Sequence, residues 1–125
     1  SNAIMARKYN LKKIVKIIHP EVRIRMNNFI KKNKRKKIVI LDIPLLIENK
    51  LNKKNDILIF IDAKKEEINK RLKKRHSINA KILKKFQLPV ELKKKKADFI
   101  IKNNFKNNSV KKNVKKVLEK ILSNA

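Results

Sequence analysis

The most restrictive feature of this sequence is that none of its 125 residues is glycine, whereas glycine ordinarily makes up about 7% of a protein. Glycine-rich phosphate loops of the forms G-x-x-x-x-G-K-[ST] and G-x-G-x-x-G are therefore excluded from these residues. A backbone position with a positive φ angle must be filled by another residue, and asparagine tolerates that conformation best after glycine. We expect asparagines to serve this purpose at predicted turns and helix ends, where four of them occur: Asn49, Asn52, Asn103 and Asn107.

The chain carries a large positive charge. Lysine and arginine number 37 against 10 acidic residues, which gives a formal net charge of +27. Such a charge attracts phosphorylated ligands, nucleic acids and anionic membranes. Most of the excess is lysine, and asparagine and isoleucine are also frequent, a pattern that an A/T-rich genome produces without any nucleic-acid function. A basic nucleic-acid-binding module remains the alternative hypothesis, although aromatic residues, on which bases stack, make up only 5% of the sequence.

The composition indicates a single globular domain. Apolar residues make up 42% of the chain, and there is no cysteine. Disulfides and thiolate metal sites are thereby excluded, and a reducing compartment is favoured, so we expect a cytoplasmic protein. No apolar run approaches the roughly 20 residues needed to cross a membrane, and we expect no membrane partner. We interpret residues 1–3 as the remnant of a cleaved expression tag, which leaves a domain over residues 4–125.

Hydrophobic periodicity predicts strands that alternate with helices. Short β-branched runs predict buried strands, and apolar stripes with helical spacing predict helices. The predicted strands are residues 38–43, 57–61 and 99–101, with a helical turn at 45–51. The predicted helices are residues 10–18, 20–30, 62–75, 79–86, 89–97 and 110–122. This alternation favours an α/β protein with a parallel sheet, in which ligands bind beyond the carboxyl ends of the strands. Asp42, residues 44–46, Asp62 and Ala63 should therefore lie on the ligand side.

Five segments of the chain together resemble the dephospho-coenzyme A kinase family. They are IIHPEVR (17–23), VILDIPLLIE (39–48), NDILIFIDA (55–63), RLKKR (71–75) and QLPVELKKKKADFIIKNN (87–104). The order of these segments and most of their spacings agree with the family. The resemblance covers about residues 10–122 and corresponds to the C-terminal two-thirds of the family's length.

The resemblance implies a three-layer, P-loop-kinase-like α/β fold with a parallel sheet and a helical lid at approximately residues 71–97. It also implies ATP-dependent phosphorylation of the ribose 3′-hydroxyl of dephospho-coenzyme A, the last step of coenzyme A biosynthesis. ATP and Mg²⁺ would be co-substrate and ion, with no tightly bound cofactor. The family's opening strand, P-loop and acidic catalytic motif have no counterpart in these residues. We therefore expect an incomplete sheet, lacking the strand between 38–43 and 57–61, and a chain that is inactive alone.

The resemblance also implies roles for individual residues. Arg71, Arg75 and Lys93 would bind nucleotide phosphates. The substrate side would be formed by five residues: His19, Pro44, Leu45, Leu46 and Glu48. Asp42 would approach Mg²⁺ through water.

Simpler interpretations stay open for several of these residues. Arg71 can pair with Glu67 on the solvated face of a helix, since the two are four residues apart. Leu45 and Leu46 can be core residues, and His19 can cap a helix that begins at Pro20. Among the consecutive lysines 93–96, Lys94 is expected to be an ordinary solvated charge. Gln87 and Asp98 are interpreted as structural or lid-hinge residues.

Overall fold

The computed structural model describes the backbone of residues 2–74 and 84–124, and the side chains at 10, 12, 13, 19–74 and 84–124. The regular elements in these ranges are α1 (Asn2–Lys32), β1 (Ile59–Asp62), α2 (Lys65–Lys74), α3 (Val90–Lys96), β2 (Phe99–Lys102) and α4 (Asn107–Ser123). Residues 84–86 are also helical. The chain divides into two compact units, Ser1–Leu51 and Asn52–Ala125, and each is described by itself.

The first unit contains one long helix where two were predicted. Helix α1 continues through Pro20, so the prediction of a break between residues 18 and 20 was wrong. Proline lacks an N–H group, and inside a helix it removes one hydrogen bond at a cost of about 3 kcal/mol. The helix continues beyond it with an ion pair between Glu21 and Arg25 at 3.0 Å, one turn apart. Neither α1 nor any other helix in the described ranges is long and apolar enough to cross a membrane.

Residues 38–43 were predicted to form a strand buried on both faces, and that prediction was wrong. They form no strand, and Ile40 is 81% exposed. A strand becomes stable by hydrogen bonding to a neighbouring strand and by packing against a second layer. The described part of the first unit offers residues 38–43 no partner strand, so β-branched composition alone does not produce one.

The segment that follows residues 38–43 confirms the predicted helical turn. Within residues 45–51, the N–H of Asn49 donates to the carbonyl of Leu45, and that of Leu51 donates to the carbonyl of Leu46, each at 3.0 Å. Leu51 is almost fully buried, with 3% of its surface exposed, and Met26 on α1 is buried as well. These two residues are the buried apolar side chains of the first unit in the part that is described.

The positive φ angles of the described residues fall where the sequence did not predict them. Leu45, Lys50 and Phe105 have φ angles of 55°, 51° and 60°. None of the four asparagines predicted for this role is among them, so that prediction was wrong. Asn103 acts through its side chain instead, because its Oδ1 accepts the N–H of Phe105 at 2.9 Å. An asparagine that bonds the backbone two residues ahead forms a turn without adopting the left-handed conformation itself.

The second unit contains the parallel strand pairing that the sequence predicted. Strand β1 pairs with β2 in parallel, and the register runs from Ile59 opposite Phe99 to Asp62 opposite Lys102. Helix α4 packs on β2, and Ile101 is buried, with 6% of its surface exposed. The predicted strands at 57–61 and 99–101, the helix that begins after Pro89 and the mixed α/β class are confirmed. The prediction that the first of these strands is buried was wrong, because Ile59 and Ile61 in β1 are 42% and 54% exposed.

Both ends of the strand pairing are held by hydrogen bonds outside the ladder. At the amino end, Leu58 donates its N–H to Asp98 Oδ2 at 2.7 Å, and its carbonyl accepts the N–H of Asp98 at 2.8 Å. At the carboxyl end, Asn103 donates its N–H to the carbonyl of Asp62 at 2.7 Å. Asp98 therefore has a structural role here, because it aligns the start of β1 with the start of β2.

We expect Ile101→Ala to destabilise the second unit far more than Ile100→Ala. The two residues are adjacent in β2, but Ile101 is 6% exposed and Ile100 is 46% exposed. Truncating a buried isoleucine to alanine costs about 2–5 kcal/mol, whereas a surface substitution usually stays within about 0.5 kcal/mol. Both changes lose the same strand propensity, so their difference reports burial. Amide hydrogen exchange of β1 measures the opening free energy, and equal effects would contradict this placement of the core.

Candidate functional site

The candidate site lies beyond the carboxyl ends of the two strands in the second unit. Because β1 and β2 are parallel and Asp62 pairs with Lys102, both strands end at the same edge. The chain leaves β1 into α2, which has Glu66 and Glu67 in its first turn, where negative charge favours a helix start. It leaves β2 into the loop 103–106 and then into α4.

Arg71 on α2 and Phe105 in this loop are in direct contact. The guanidinium carbon of Arg71 lies 3.8 Å from the centre of the Phe105 ring, well within the range of a cation–π interaction. Beside them is an open cavity of about 170 Å³, lined by Ile68, Arg71, Leu72 and Phe105. Ile68 and Leu72 line it with apolar side chains that remain 41% and 40% exposed.

This contact bears on the simpler interpretation of Arg71, its pairing with Glu67. The described residues show no ion pair between Arg71 and Glu67, and the guanidinium lies over an aromatic ring instead. A guanidinium group is planar, and its five N–H donors point outward in that plane. A ring against one face leaves those donors available to phosphate or carboxylate oxygens. The arrangement therefore places the positive charge of Arg71 beside apolar side chains. An anionic ligand that also has an apolar part could contact both.

Asparagine side chains brace the loop that carries Phe105. Asn104 Oδ1 accepts the N–H of Lys106 at 3.0 Å, and Asn104 Nδ2 donates to Ser109 Oγ at 3.1 Å. One turn further along α4, Asn113 Nδ2 donates to the carbonyl of Lys102 at 3.0 Å. These bonds connect the end of β2, the loop and α4, so the position of the Phe105 ring follows from the strand pairing.

A second charged contact lies at the same edge. Lys94 Nζ on α3 is 3.3 Å from Asp62 Oδ1, with both side chains 30% exposed, and it is 5.8 Å from the centre of the Phe60 ring. The expectation that Lys94 is an ordinary solvated charge was wrong. The reason is tertiary, because α3 places Lys94 against the carboxyl end of β1. Its neighbour Lys93 is half-buried on the same helix.

The remaining candidate residues are distributed as follows. Asp42 and Pro44 are exposed in the first unit, and His19, Leu45, Leu46 and Glu48 are half-buried there. His19 lies inside α1 and does not cap a helix start, because α1 continues through Pro20. Arg75 lies outside the described residues. In the ranges that the structure describes, no three histidine or acidic side chains are grouped closely enough to hold a metal ion.

Sequence reasoning missed Phe105 and the pairing of Asp62 with Lys94. A usable signal was present for Phe105, because residues that directly follow a strand of a parallel sheet lie on the ligand side. The same rule had already singled out Asp62. Nothing in the spacing of Lys94 distinguished it from the other lysines of its run, so its partner is visible only in the fold.

Comparison with known proteins gives one consistent family. The family model for dephospho-CoA kinase matches residues 1–110 of the chain. Relatives named dephospho-CoA kinase include one from Fusobacterium nucleatum subsp. nucleatum, 37% identical over 105 residues, which cover 81% of this chain and 53% of the relative. One from Bartonella quintana is 38% identical over 96 residues, 73% of this chain and 49% of the relative. One from Wolbachia pipientis wMel is 32% identical over 105 residues, which cover 81% of this chain and 54% of the relative. The chain spans about half the length of the curated relatives it matches. No solved structure was found to match it.

We expect Lys94→Met to lower the free energy of unfolding of the second unit by about 1 kcal/mol, because it leaves the half-buried Asp62 carboxylate without its partner. Lys95→Met, on the exposed side of the same helix, should stay within about 0.5 kcal/mol. Urea denaturation of both variants measures the difference. The difference in unfolding free energy between the two variants should become smaller at about 1 M salt, where the screening length falls to ~3 Å. A difference independent of salt would show that the lysine acts by packing its alkyl chain and not by charge.

Proposed function

The chain belongs to the dephospho-coenzyme A kinase family, and we propose that it takes part in ATP-dependent phosphorylation of the ribose 3′-hydroxyl of dephospho-coenzyme A. In this proposal the second unit binds the nucleotide, and the first unit binds the acceptor substrate. The observation that carries it is Arg71, a motif-matched residue whose guanidinium borders an open cavity. ATP and dephospho-coenzyme A are the proposed partners, and the cytoplasm is the proposed location.

In the proposed reaction, the ribose 3′-oxygen bonds to the γ-phosphorus of ATP as the bond to the oxygen bridging the β- and γ-phosphorus breaks. ADP leaves with that oxygen, and the hydroxyl proton is released. Protein groups contribute mainly by positioning the reactants and stabilising charge in such transfers. Arg71 would donate its in-plane N–H groups to phosphate oxygens, with Arg75 and Lys93 adding positive charge. The Asp62–Lys94 pair would hold α3 at the edge of the sheet beside them.

The first unit would hold the acceptor substrate. Leu45 and Leu46 are half-buried in the turn that follows residues 38–43, where they would contact the apolar parts of the pantetheine arm. His19, Pro44 and Glu48 would border the same substrate. We also propose that, in the complete enzyme, residues 38–43 are a strand of a three-layer, P-loop-kinase-like sheet. Pairing with a neighbouring strand would satisfy their backbone groups.

The donor chemistry of Asp42 fits the ion that accompanies ATP. Mg²⁺ is usually held by one or two carboxylates together with substrate phosphates, and it keeps several of its waters. Asp42 supplies one exposed carboxylate. In the proposal this carboxylate would hold the ion through one of the ion's bound waters. The ion would neutralise charge on the phosphate oxygens. Beyond holding it, Asp42 has no further role in the proposal.

We expect the 125-residue chain alone to show no phosphorylation of dephospho-coenzyme A. It contains no glycine, and so it lacks the glycine-rich loop whose backbone N–H groups hold the β- and γ-phosphates. Removing one preorganised charge-stabilising donor already costs a factor of about 10²–10³ in rate. A coupled assay for ADP release tests this, with the Fusobacterium nucleatum relative as positive control. Turnover by the chain above a no-protein blank would contradict the proposal that its phosphate cradle is absent.

We expect Arg71→Ala to weaken ADP binding by this chain, because it removes a charge-assisted hydrogen bond of about 1.5–3 kcal/mol. Arg25→Ala is the matched control. Its side chain is 80% exposed, lies on α1 and pairs with Glu21, so its loss should leave ADP affinity unchanged. Chemical-shift titration by NMR measures both dissociation constants. Equal losses would mean that ADP responds only to the net charge of +27, and this would favour a basic polyanion-binding module.

A further inference from the structure

Phe105 adopts a backbone conformation that its side chain disfavours. Its φ angle is 60°, in the left-handed region, where the Cβ of an L-residue crowds the following carbonyl. Bulky residues are rare there, and such a conformation persists only where the surrounding structure over-determines it. The chain therefore tolerates strain at this position. The contacts of Phe105 indicate a reason for keeping a phenylalanine there.

The backbone of Phe105 is held in place by both of its preceding asparagines. Asn103 Oδ1 accepts the N–H of Phe105 at 2.9 Å, and the N–H of Asn103 bonds the carbonyl of Asp62 at 2.7 Å. Asn104 Oδ1 accepts the N–H of Lys106 at 3.0 Å. Two successive asparagine turns thus fix the loop to the end of β1 and compel the next residue into the left-handed region.

The strained backbone directs the Phe105 ring at Arg71. The ring centre lies 3.8 Å from the guanidinium carbon, which is van der Waals contact, so no ligand fits between the two groups. Phe105 is half-buried and Arg71 is exposed, so the ring covers one face of a side chain that would otherwise move freely in solvent. An arginine side chain has many accessible rotamers, and stacking removes part of that freedom before any ligand binds.

We propose that Phe105 is a positioning residue for Arg71. Its ring holds the guanidinium plane against the wall of the cavity, so that the in-plane N–H groups are presented to the diphosphate of a nucleotide. The gain in affinity comes from preorganisation, because the arginine does not have to be ordered when the ligand binds. This inference rests on the proposed function, since it assigns a role within the same nucleotide site.

The test compares substitutions that separate the ring from the backbone conformation. Phe105→Asn removes the ring but keeps a residue that tolerates a positive φ, so the loop should still fold. Phe105→Tyr keeps both the ring and the backbone. Phe99→Leu is the matched control, because Phe99 is a half-buried phenylalanine in β2 outside the cavity. ADP is the probe, pyrophosphate is a second probe without a base, and binding is followed by NMR titration.

We expect Phe105→Asn to weaken binding of both probes by about two- to fivefold, the range of an exposed cation–π contact. Phe105→Tyr should retain the affinity, and Phe99→Leu should change stability but not affinity. The side-chain Nε–H resonance of Arg71 should carry a ring-current shift in the unsubstituted chain and in Phe105→Tyr, and should lose it in Phe105→Asn. A purely structural role for Phe105 would not couple that signal to affinity.

Several results would overturn the inference. If Phe105→Asn loses the ring-current shift but binds ADP as tightly as the unsubstituted chain, Phe105 does not position Arg71 for binding. If Phe99→Leu loses as much affinity as Phe105→Asn, the effect is general destabilisation. In both cases Arg71→Ala still weakens ADP binding, so the proposed function stands while the inference fails. If the unsubstituted chain binds neither probe, Arg71 and Phe105 do not form a binding site in this chain and the inference fails.

Discussion

The parallel pairing of β1 with β2 is the constraint on which the site in the second unit depends. It places Asp62, at the carboxyl end of β1, beside Lys102, at the carboxyl end of β2. The residues that form the site follow one of these two strand ends or contact it. The backbone of Asn103 bonds Asp62, and α3 places Lys94 on the Asp62 carboxylate. Asp98 holds the amino end through its two bonds to Leu58. The ladder has only four residue pairs, and these added bonds support its register.

Because the chain has no glycine, other residues must adopt the left-handed backbone conformation. In the described residues, the left-handed backbone conformation falls on Leu45, Lys50 and Phe105. At Phe105 the asparagines supply the turn with their side chains while the large residue accepts the strain. A glycine at this position would relieve the backbone but would leave Arg71 without an aromatic surface. The strained residue and the cationic residue therefore belong to one arrangement.

Charge alone does not identify binding candidates among the lysines and arginines of this chain, because there are 37 of them. What distinguishes Arg71 and Lys94 is the group that each one contacts. Arg71 has one face covered by a ring, and Lys94 has a carboxylate and an aromatic neighbour at the end of a strand. An arginine such as Arg25, whose side chain is 80% exposed and pairs only along its own helix, has no comparable environment. Neighbours and burial, more than net charge, thus identify candidate binding residues.

The sequence by itself determined the family, the mixed α/β class, the strands at 57–61 and 99–101, and the helix after Pro89. Each depends on local periodicity, or on motifs whose order in the chain carries the information. Tertiary structure decided the features that depend on contact with another part of the chain. Residues 38–43 have strand composition but no neighbouring strand in the described part of their unit, and α1 continues through Pro20. The contacts of Arg71 with Phe105 and of Lys94 with Asp62 join residues more than 30 positions apart in the sequence. The physical reason is that backbone pairing and side-chain contacts are satisfied across space, whereas the sequence pattern specifies only which groups require satisfaction.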